Sequence, residues 1–531
     1  MTAATMLSGP PIVRLENAFV RPYENAVAAA RTCYSSKGVL RVGDVSGDGL
    51  PEDQRLKRVD QRDRIAESTY QAGHHTTLQH AHFQFTIDRV SRHCLWSFLH
   101  SHPFYNSEQV SQRYVTVKAG HYAVPPLGEE AHAEYRRICD GLVEDYQALT
   151  ELLTPVASAE YFARFRGRRA ADPKWKGAVQ KKAQEVARYA LPVAIHAYLY
   201  HTVSALTLLR YHRLADQFDT ALEQRLLVQA MLDEVLKVDP LFARVVEDVI
   251  PLEETPEYAA FTAFADARAR GAGAEFRREF DASLGGKTSK LVGSKPGQSE
   301  LVAQSVREVL GLPRAALSDV DALALVLSPA KNPLLGGSLN VGMHSKLLRC
   351  LQHAHYSFRK KLSHTADSQD QRHRMVPASR PILAAQLGDE PDFVTPALVK
   401  LDETARRRFD AAMERAFAGR ARLKALGASE EYSQYVLPNA VSIRFTESAD
   451  LLSLHHKLVS RLCYNAQEEI FAASLDEAQQ IAEVDPLIGA HLGAPCLLRL
   501  RAGVTPYCPE GDRYCGVPVW KLAVAQYERT I

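Results

Sequence analysis

The sharpest pattern in the chain is the alternation of apolar and polar positions from His80 to Ile87, HAHFQFTI. A period of two predicts a strand over 81–87 and sets His80 and His82 on one of its faces. Upstream, Ile12–Leu15 reads as a strand and Glu24–Cys33 as a helix, followed by a Gly/Asp/Pro-containing loop at 38–54. Gln61–Gly73 has helical spacing and stops at a glycine suited to a C-cap, which leaves His74 and His75 at a turn. Downstream, Leu95, Trp96, Phe98 and Leu99 form an apolar run among histidines, the signature of a buried helix running into a polar turn at Ser111-Gln112-Arg113-Tyr114. Glu129–Leu153 and Val179–Tyr189 are helical by period. Pro192 opens a further helix predicted over Val193–Tyr211, and another is predicted over Val341–Leu362. No apolar run approaches the ~18–20 residues of a membrane span.

The second half repeats the first. Leu191-Pro192 recurs as Leu437-Pro438, and Val238-Asp239-Pro240-Leu241 recurs as Val484-Asp485-Pro486-Leu487, both at an offset of 246. Leu78-Gln79-His80-Ala81-His82-Phe83 is echoed by Leu351-Gln352-His353-Ala354-His355-Tyr356 at an offset of 273. Two identical offsets around proline-marked turns indicate a tandem duplication. The joint falls in a glycine-bearing stretch around 271–300, which reads as a flexible linker. Gly285-Gly286-Lys287-Thr288 within it lacks the earlier glycine and the leading strand of a phosphate loop.

Composition adds only limits. The chain has 531 residues, 46% hydrophobic and 24% charged, with a formal net charge of +2. This suits a globular protein with ample core and gives no overall field for nucleic acid or a membrane surface. Eight cysteines are too sparse for a disulfide scaffold, and the start lacks a basic, then apolar, leader pattern. Cytoplasm is the expected compartment.

Candidate chemistry concentrates at Ser111 and Arg113. A hydroxyl two residues before a guanidinium fork grips a phosphate or carboxylate. The histidine cluster at 74–82 has no His-Glu-x-x-His or carboxylate spacing for a metal. Cys496, Cys508 and Cys515 crowd the C-terminal end, but the spacing of the last two is wider than usual zinc pairs. Reduced packing cysteines are the favoured reading, with a metal the weaker alternative.

Five segments in order resemble the flavin-dependent thymidylate synthases. They are Ala30-Arg31-Thr32-Cys33-Tyr34-Ser35, Gly73-His74-His75-Thr76-Thr77-Leu78-Gln79-His80, Phe83-Gln84-Phe85-Thr86-Ile87, Val90-Ser91-Arg92 and Ser111-Gln112-Arg113-Tyr114-Val115. The family's Arg-His-Arg triplet, eight residues before the serine, falls on Ser101-His102-Pro103, so both arginines are replaced. Ala187-Arg188-Tyr189 and the stretch Asp450–Leu462 resemble later family segments, with Arg461 at the position of a nucleotide-binding arginine.

The resemblance implies an α+β fold of two tandem domains, each a small antiparallel sheet packed with long helices. The first spans 1–270, the linker 271–300 and a divergent second domain 301–531. It implies methylation of dUMP to dTMP with FAD as cofactor and methylenetetrahydrofolate and NADPH as co-substrates. By family position, Gln109, Ser111, Arg113, Arg188 and Arg461 hold the nucleotide; His74, Thr76, His102, Arg372, Asp450 and His456 hold the flavin. In the second copy Gln371-Arg372 is set opposite Gln112-Arg113, which puts Asp370 at the serine's place. No protein nucleophile is expected, because the flavin carries the hydride chemistry. The family assembles its sites from several subunits of a tetramer, so a homodimer of this doubled chain is expected as a pseudo-tetramer. The rewritten triplet keeps a second reading open, a non-catalytic paralogue that binds flavin or nucleotide.

Overall fold

A computed structural model describes residues 4–529, apart from 166, 167, 169, 171 and 389. It contains two four-stranded antiparallel sheets. The first is β1 (Ile12–Ala18), β2 (His82–Ser91), β3 (Asn106–Gln109) and β4 (His196–Ser204), in the order β1-β2-β4-β3. The second is β5 (Ser289–Ser294), β6 (His355–Ser363), β7 (Ala378–Ser379) and β8 (Ser442–Asp450), in the order β5-β6-β8-β7. The α+β architecture and the duplication are therefore both present, and the duplication is visible in sheet topology as well as in sequence.

Register fixes the alignment of the copies. Phe83 pairs with Val203 in the first sheet and Tyr356 with Ala449 in the second, each residue displaced by the offsets read from the sequence. The offset of 273 thus marks true counterparts. It drops by one at Ser91 and Ser363 because β2 carries an extra residue. Its register slips between Ile87 and Val90, where Arg89 takes a left-handed φ of 56°, while β6 pairs without a slip.

Three expectations change. Val193–Tyr211 is not one helix: it is β4 followed by the helix Ala205–Arg213. The sequence HAYLYHTVS alternates exposed and buried positions, and Ser204 accepts the Thr207 N–H as an N-cap, so the period switches from two to 3.6 there. Val341–Leu362 is a pair of 3₁₀ turns leading into β6, whose HYSFRKKLS alternates likewise. The stretch 271–300 is not a linker. It folds as the helix Ala272–Leu284 and the edge strand β5, and Gly285 and Gly286, both at positive φ, turn the chain between them.

The compact units are interleaved rather than sequential. The first unit comprises Met1–Asp140, Pro192–Asp266 and Gly419–Leu437; the second comprises Gly141–Leu191, Ala267–Ala418 and Pro438–Ile531. Each unit thus takes in a segment from the other half of the chain, ending at the repeated Leu-Pro. The first unit's core is Phe83, Phe85 and Ile87 of β2 with Leu199, Val203, Met231 and Phe242. The second unit's core includes Tyr356 and Phe358 of β6 with Val302, Leu323, Leu454 and Ile481.

One buried triad recurs in both units. In the first, Ser91 donates its backbone N–H and hydroxyl to Glu223, each at 2.6 Å, and the Tyr435 hydroxyl donates to the same carboxylate at 2.8 Å. In the second, Ser363 donates both groups to Glu469, and the Tyr189 hydroxyl donates at 2.6 Å. Tyr189 and Tyr435 are counterparts, as are Glu223 and Glu469, so each tyrosine reaches the carboxylate belonging to the other repeat. Burial pushes Glu469 up to about 7 and raises Glu223, against the donors that favour the charged form. A carboxyl raised on folding binds its proton more tightly in the folded chain. Its contribution is therefore greatest in acid and declines as pH rises from the unfolded carboxylate range to about 7. We expect Tyr189→Phe and Tyr435→Phe each to cost ~1–3 kcal/mol, and Glu469→Gln to flatten the fall in stability between pH 5 and pH 7, read by thermal melts across pH.

Candidate active site

In the first unit the last residue of β3, Gln109, leads into a single helical turn. Tyr114 and Val115 donate their N–H groups to the Ser111 carbonyl at 3.1 and 3.0 Å, and the Arg113 N–H reaches Ser111 Oγ at 3.3 Å. The turn is anchored to the sheet by the Val110 N–H on the Tyr198 carbonyl at 3.0 Å. Ser111 Oγ accepts from the backbone, so its own proton is available to a ligand, and the Arg113 guanidinium lies 5.5 Å from the Tyr114 ring centroid. Gln109 Oε1 is buried with no donor among the described residues. An acceptor, a hydroxyl donor and a guanidinium thus share one short segment, suited to a ligand with an N–H and an oxyanion.

The other first-unit residues expected at the site have partners and surroundings of their own. His102 Nε2 is 2.7 Å from the Tyr211 hydroxyl and its Nδ1 accepts the Phe104 N–H at 3.0 Å, so both ring nitrogens serve the fold. Tyr211 also meets His201 at 3.1 Å, and burial pushes His201 down to about 3. His74 opens the 3₁₀ turn His75–His80 and borders an apolar cleft lined by Tyr23, Val27, Tyr70 and Leu78, while Thr76 is exposed on the turn.

Arg188 and Arg461 belong to the second unit, with Arg372, Asp450 and His456. The Arg188 guanidinium is buried and donates to the Glu185 carbonyl at 3.1 Å, and Asn439 donates to the Arg188 carbonyl at 3.0 Å. Arg461 ends the helix Leu451–Arg461 and donates to His373 Nε2 at 2.8 Å and to the Gln369 carbonyl at 3.0 Å. The His456 ring lies 6.1 Å from that of His373, and burial with the nearby Arg461 lowers its affinity for a proton. Arg372 closes the turn after the helix His364–Asp370. Asp450 is the N-cap of the Arg461 helix, accepting from Ser453 N at 2.9 Å and bonding Ser453 Oγ at 3.0 Å.

The second unit also holds what sequence reasoning missed. Lys360, Asp370, Glu447, Lys457 and Glu477 are all buried and form one ion cluster. Lys360 Nζ lies 2.7 Å from Asp370 and 2.8 Å from Glu477; Lys457 Nζ lies 3.0 Å from Asp370 and also bonds Glu447. Burial opposes the Lys360 charge, but the three carboxylates outweigh it and hold its pKa well above the lysine range. Burial and the neighbouring Asp370 push Glu447 up to about 7. The counterparts of Lys360, Glu447, Lys457 and Glu477 in the first unit are Ile87, His201, Tyr211 and Met231, and the contact of Asp370 with Lys457 replaces the ring contact of Phe98 with Tyr211 at 5.0 Å. An ionic interior has been substituted for an apolar one.

This overturns the alignment of Asp370 with the serine position. Register on the third strand gives the true correspondence: Ala378 pairs with Glu447 as Ser107 pairs with His201, which sets Arg380 opposite Gln109. Arg380 is held by Asp367 at 2.8 and 2.9 Å. The two-residue strand β7 is too short to announce itself in sequence.

Burial raises the Cys515 thiol and pushes Cys496 up to about 12, the setting of inert packing cysteines. Among the described residues no group of three or more His, Cys, Asp or Glu side chains is arranged to hold a metal.

The thymidylate synthase complementing protein family model matches residues 14–241 and again 290–487, one match per repeat. A flavin-dependent thymidylate synthase of Clostridium tetani is 28% identical over 219 residues, covering 41% of this chain and 80% of the relative. Those of Nitratidesulfovibrio vulgaris and Geobacter sulfurreducens are 30% identical over 176 and 169 residues, each covering 31% of this chain and 69% and 70% of the relative. With both sheets matched and most of its length covered, the chain belongs to the thymidylate synthase complementing protein family, as two tandem copies.

Proposed function

We propose that this chain is a flavin-dependent enzyme that methylates dUMP to dTMP, with methylenetetrahydrofolate as carbon donor and NADPH as reductant. The observation that carries this reading is the Gln109–Arg113 segment. Its orphaned acceptor suits the imide N–H of a pyrimidine, and its serine and arginine suit a 5′-phosphate. When bound, FAD supplies the hydride chemistry. His74, which borders the apolar cleft, and the exposed Thr76 hydroxyl on the turn that follows it suit a group with a flat apolar face and polar edges. His102 and Asp450 are engaged in holding the fold, so in this reading they position neighbours rather than touch cofactor. Arg188 and Arg461, in the second unit, are the chain's further candidate cations for a nucleotide. The chain works as a homodimer, supplying four domains.

The assay is release of tritium from C5-labelled dUMP in the presence of FAD, methylenetetrahydrofolate and NADPH. Release above a flavin-free control is expected, and none at any nucleotide concentration would refute the reading. Sedimentation is expected to give a dimer. The alternative, a binding paralogue without catalysis, draws support from the second unit, where Arg380 and Asp370 are locked in ion pairs; flavin and dUMP binding without tritium release would favour it.

A further inference from the structure

We propose that the first unit carries a second oxyanion site, separate from the Ser111–Arg113 grip, in the basic cavity where the Asp88–Arg89 bulge meets the start of β4. The ligand is a multiply charged small molecule bearing phosphates or carboxylates.

The cavity measures about 830 Å³, within the ~300–1,000 Å³ range of small-molecule sites. Arg89, Arg92, Lys118, His121, Arg136 and His196 face it, and Asp88 is the one acidic residue of its lining. Val110, Gln112 and Val115 line it as well, whereas Ser111 and Arg113 do not. The cavity and the nucleotide grip thus draw on different side chains of that segment.

The duplication supplies an internal control. In the first unit the His196 N–H bonds the His121 carbonyl at 3.1 Å and Ala123 bonds Ala194 at 2.9 Å; in the second the Ser442 N–H bonds the Asp392 carbonyl at 3.1 Å and Val394 bonds Ala440 at 2.9 Å. Asp392 is therefore the counterpart of His121, and Arg444 that of Tyr198. Lys361, paired with Arg444, stands where the first unit has its bulge. In the second unit this place is internally neutral. Arg444 is buried against Asp281 at 2.7 and 2.8 Å and against Asp392, and Lys361 bonds Asp281 at 2.7 Å. Asp281 comes from the helix Ala272–Leu284, which precedes β5, whereas the residues preceding β1 that line the first unit's cavity are Leu7 and Ser8.

The first unit keeps cations at this place and lacks those carboxylates. Arg89, Lys118 and Arg136 make no ion pair among the described residues, and His196 Nε2 is buried without a hydrogen-bond partner. Arg89 is also held in a left-handed conformation that a non-glycine residue adopts at a cost, and its guanidinium passes so near Gly9 that a Cβ there would sit 3.2 Å away. Unneutralised cations around a cavity, where the sister copy supplies two aspartates, leave the negative charge to a ligand.

The test is calorimetric titration of the full chain with pyrophosphate and with citrate at low ionic strength. Binding of either at one site per chain is expected, and which one binds tells whether the ligand carries phosphates or carboxylates. Arg89→Glu and Lys118→Glu change exposed side chains and should each weaken binding at least tenfold with an unchanged circular dichroism spectrum. Arg113→Ala should leave it unaltered. The proposal is overturned if neither oxyanion binds below millimolar concentration. It also fails if the charge reversals have no effect, or if Arg113→Ala abolishes binding, which would make the cavity part of the nucleotide grip.

Discussion

Arg113→Ala is expected to lower kcat/KM for dUMP by roughly 10- to 150-fold, the equivalent of the ~1.5–3 kcal/mol carried by a hydrogen bond to a charged group. Arg113 sits on a turn held by two backbone bonds to the Ser111 carbonyl, and neither involves its guanidinium. The truncation therefore leaves those two bonds in place, and a thermal melt of the variant is run beside the assay to separate a binding loss from a folding loss. If the arginine grips a phosphate equally in ground and transition states, the loss appears in KM and leaves kcat alone. Arg113→Lys keeps the charge and loses the planar fork, so it should recover only part of the effect. Deoxyuridine, which lacks the phosphate, should be used equally poorly by the wild type and by Arg113→Ala. Equal use of dUMP by both proteins would remove this residue from the site.

The largest stability effect is expected at Lys360. Lys360→Met removes the ammonium shared by Asp370, Glu447 and Glu477 and leaves Lys457 as the one lysine of the cluster, bonded to Asp370 and Glu447 but not to Glu477. Breaking a buried pair in this way costs ~3–5 kcal/mol. Replacing the whole cluster is a different matter. The first unit shows that this interior accepts Ile87, His201, Tyr211, Met231 and Phe98, so the five-fold change Lys360→Ile, Asp370→Phe, Glu447→His, Lys457→Tyr and Glu477→Met should recover much of what the single change loses. The pH signature follows from Glu447. Its carboxyl is raised to about 7, so the folded chain binds that proton more tightly and stability falls from the unfolded carboxylate range up to about pH 7. Differential scanning calorimetry of the two variants across pH reads both effects. A Lys360→Met protein that melts with the wild type would show that the cluster adds nothing to stability.

Much of this was legible in residues. The duplication was readable because Leu-Pro and Val-Asp-Pro-Leu mark turns whose geometry tolerates little change. Strand β2 was readable because its alternation is strict. Strands β4 and β6 carry no such mark: each runs without a glycine or proline break into a helical segment, so the change of period is hidden in the sequence. The segment after Gly271 looked like a linker because its glycines cap a helix and turn into an edge strand, uses that composition alone does not separate from flexibility. At the candidate site, Ser111 and Arg113 were legible from spacing. The ion cluster was not, because its five members come from β6, β8 and three helices and acquire meaning only when register brings them together. The same holds for the basic cavity, whose contrast with Asp281 and Asp392 emerges only once the two sheets are superposed by their pairing.

The most direct test of the account is the visible spectrum of the purified chain incubated with FAD, before and after addition of dUMP. A retained flavin band that shifts on adding dUMP, with the shift lost in Arg113→Ala, is the predicted result. A colourless protein that neither takes up FAD nor responds to dUMP would contradict it, and would mean that the doubled fold has outlived the chemistry.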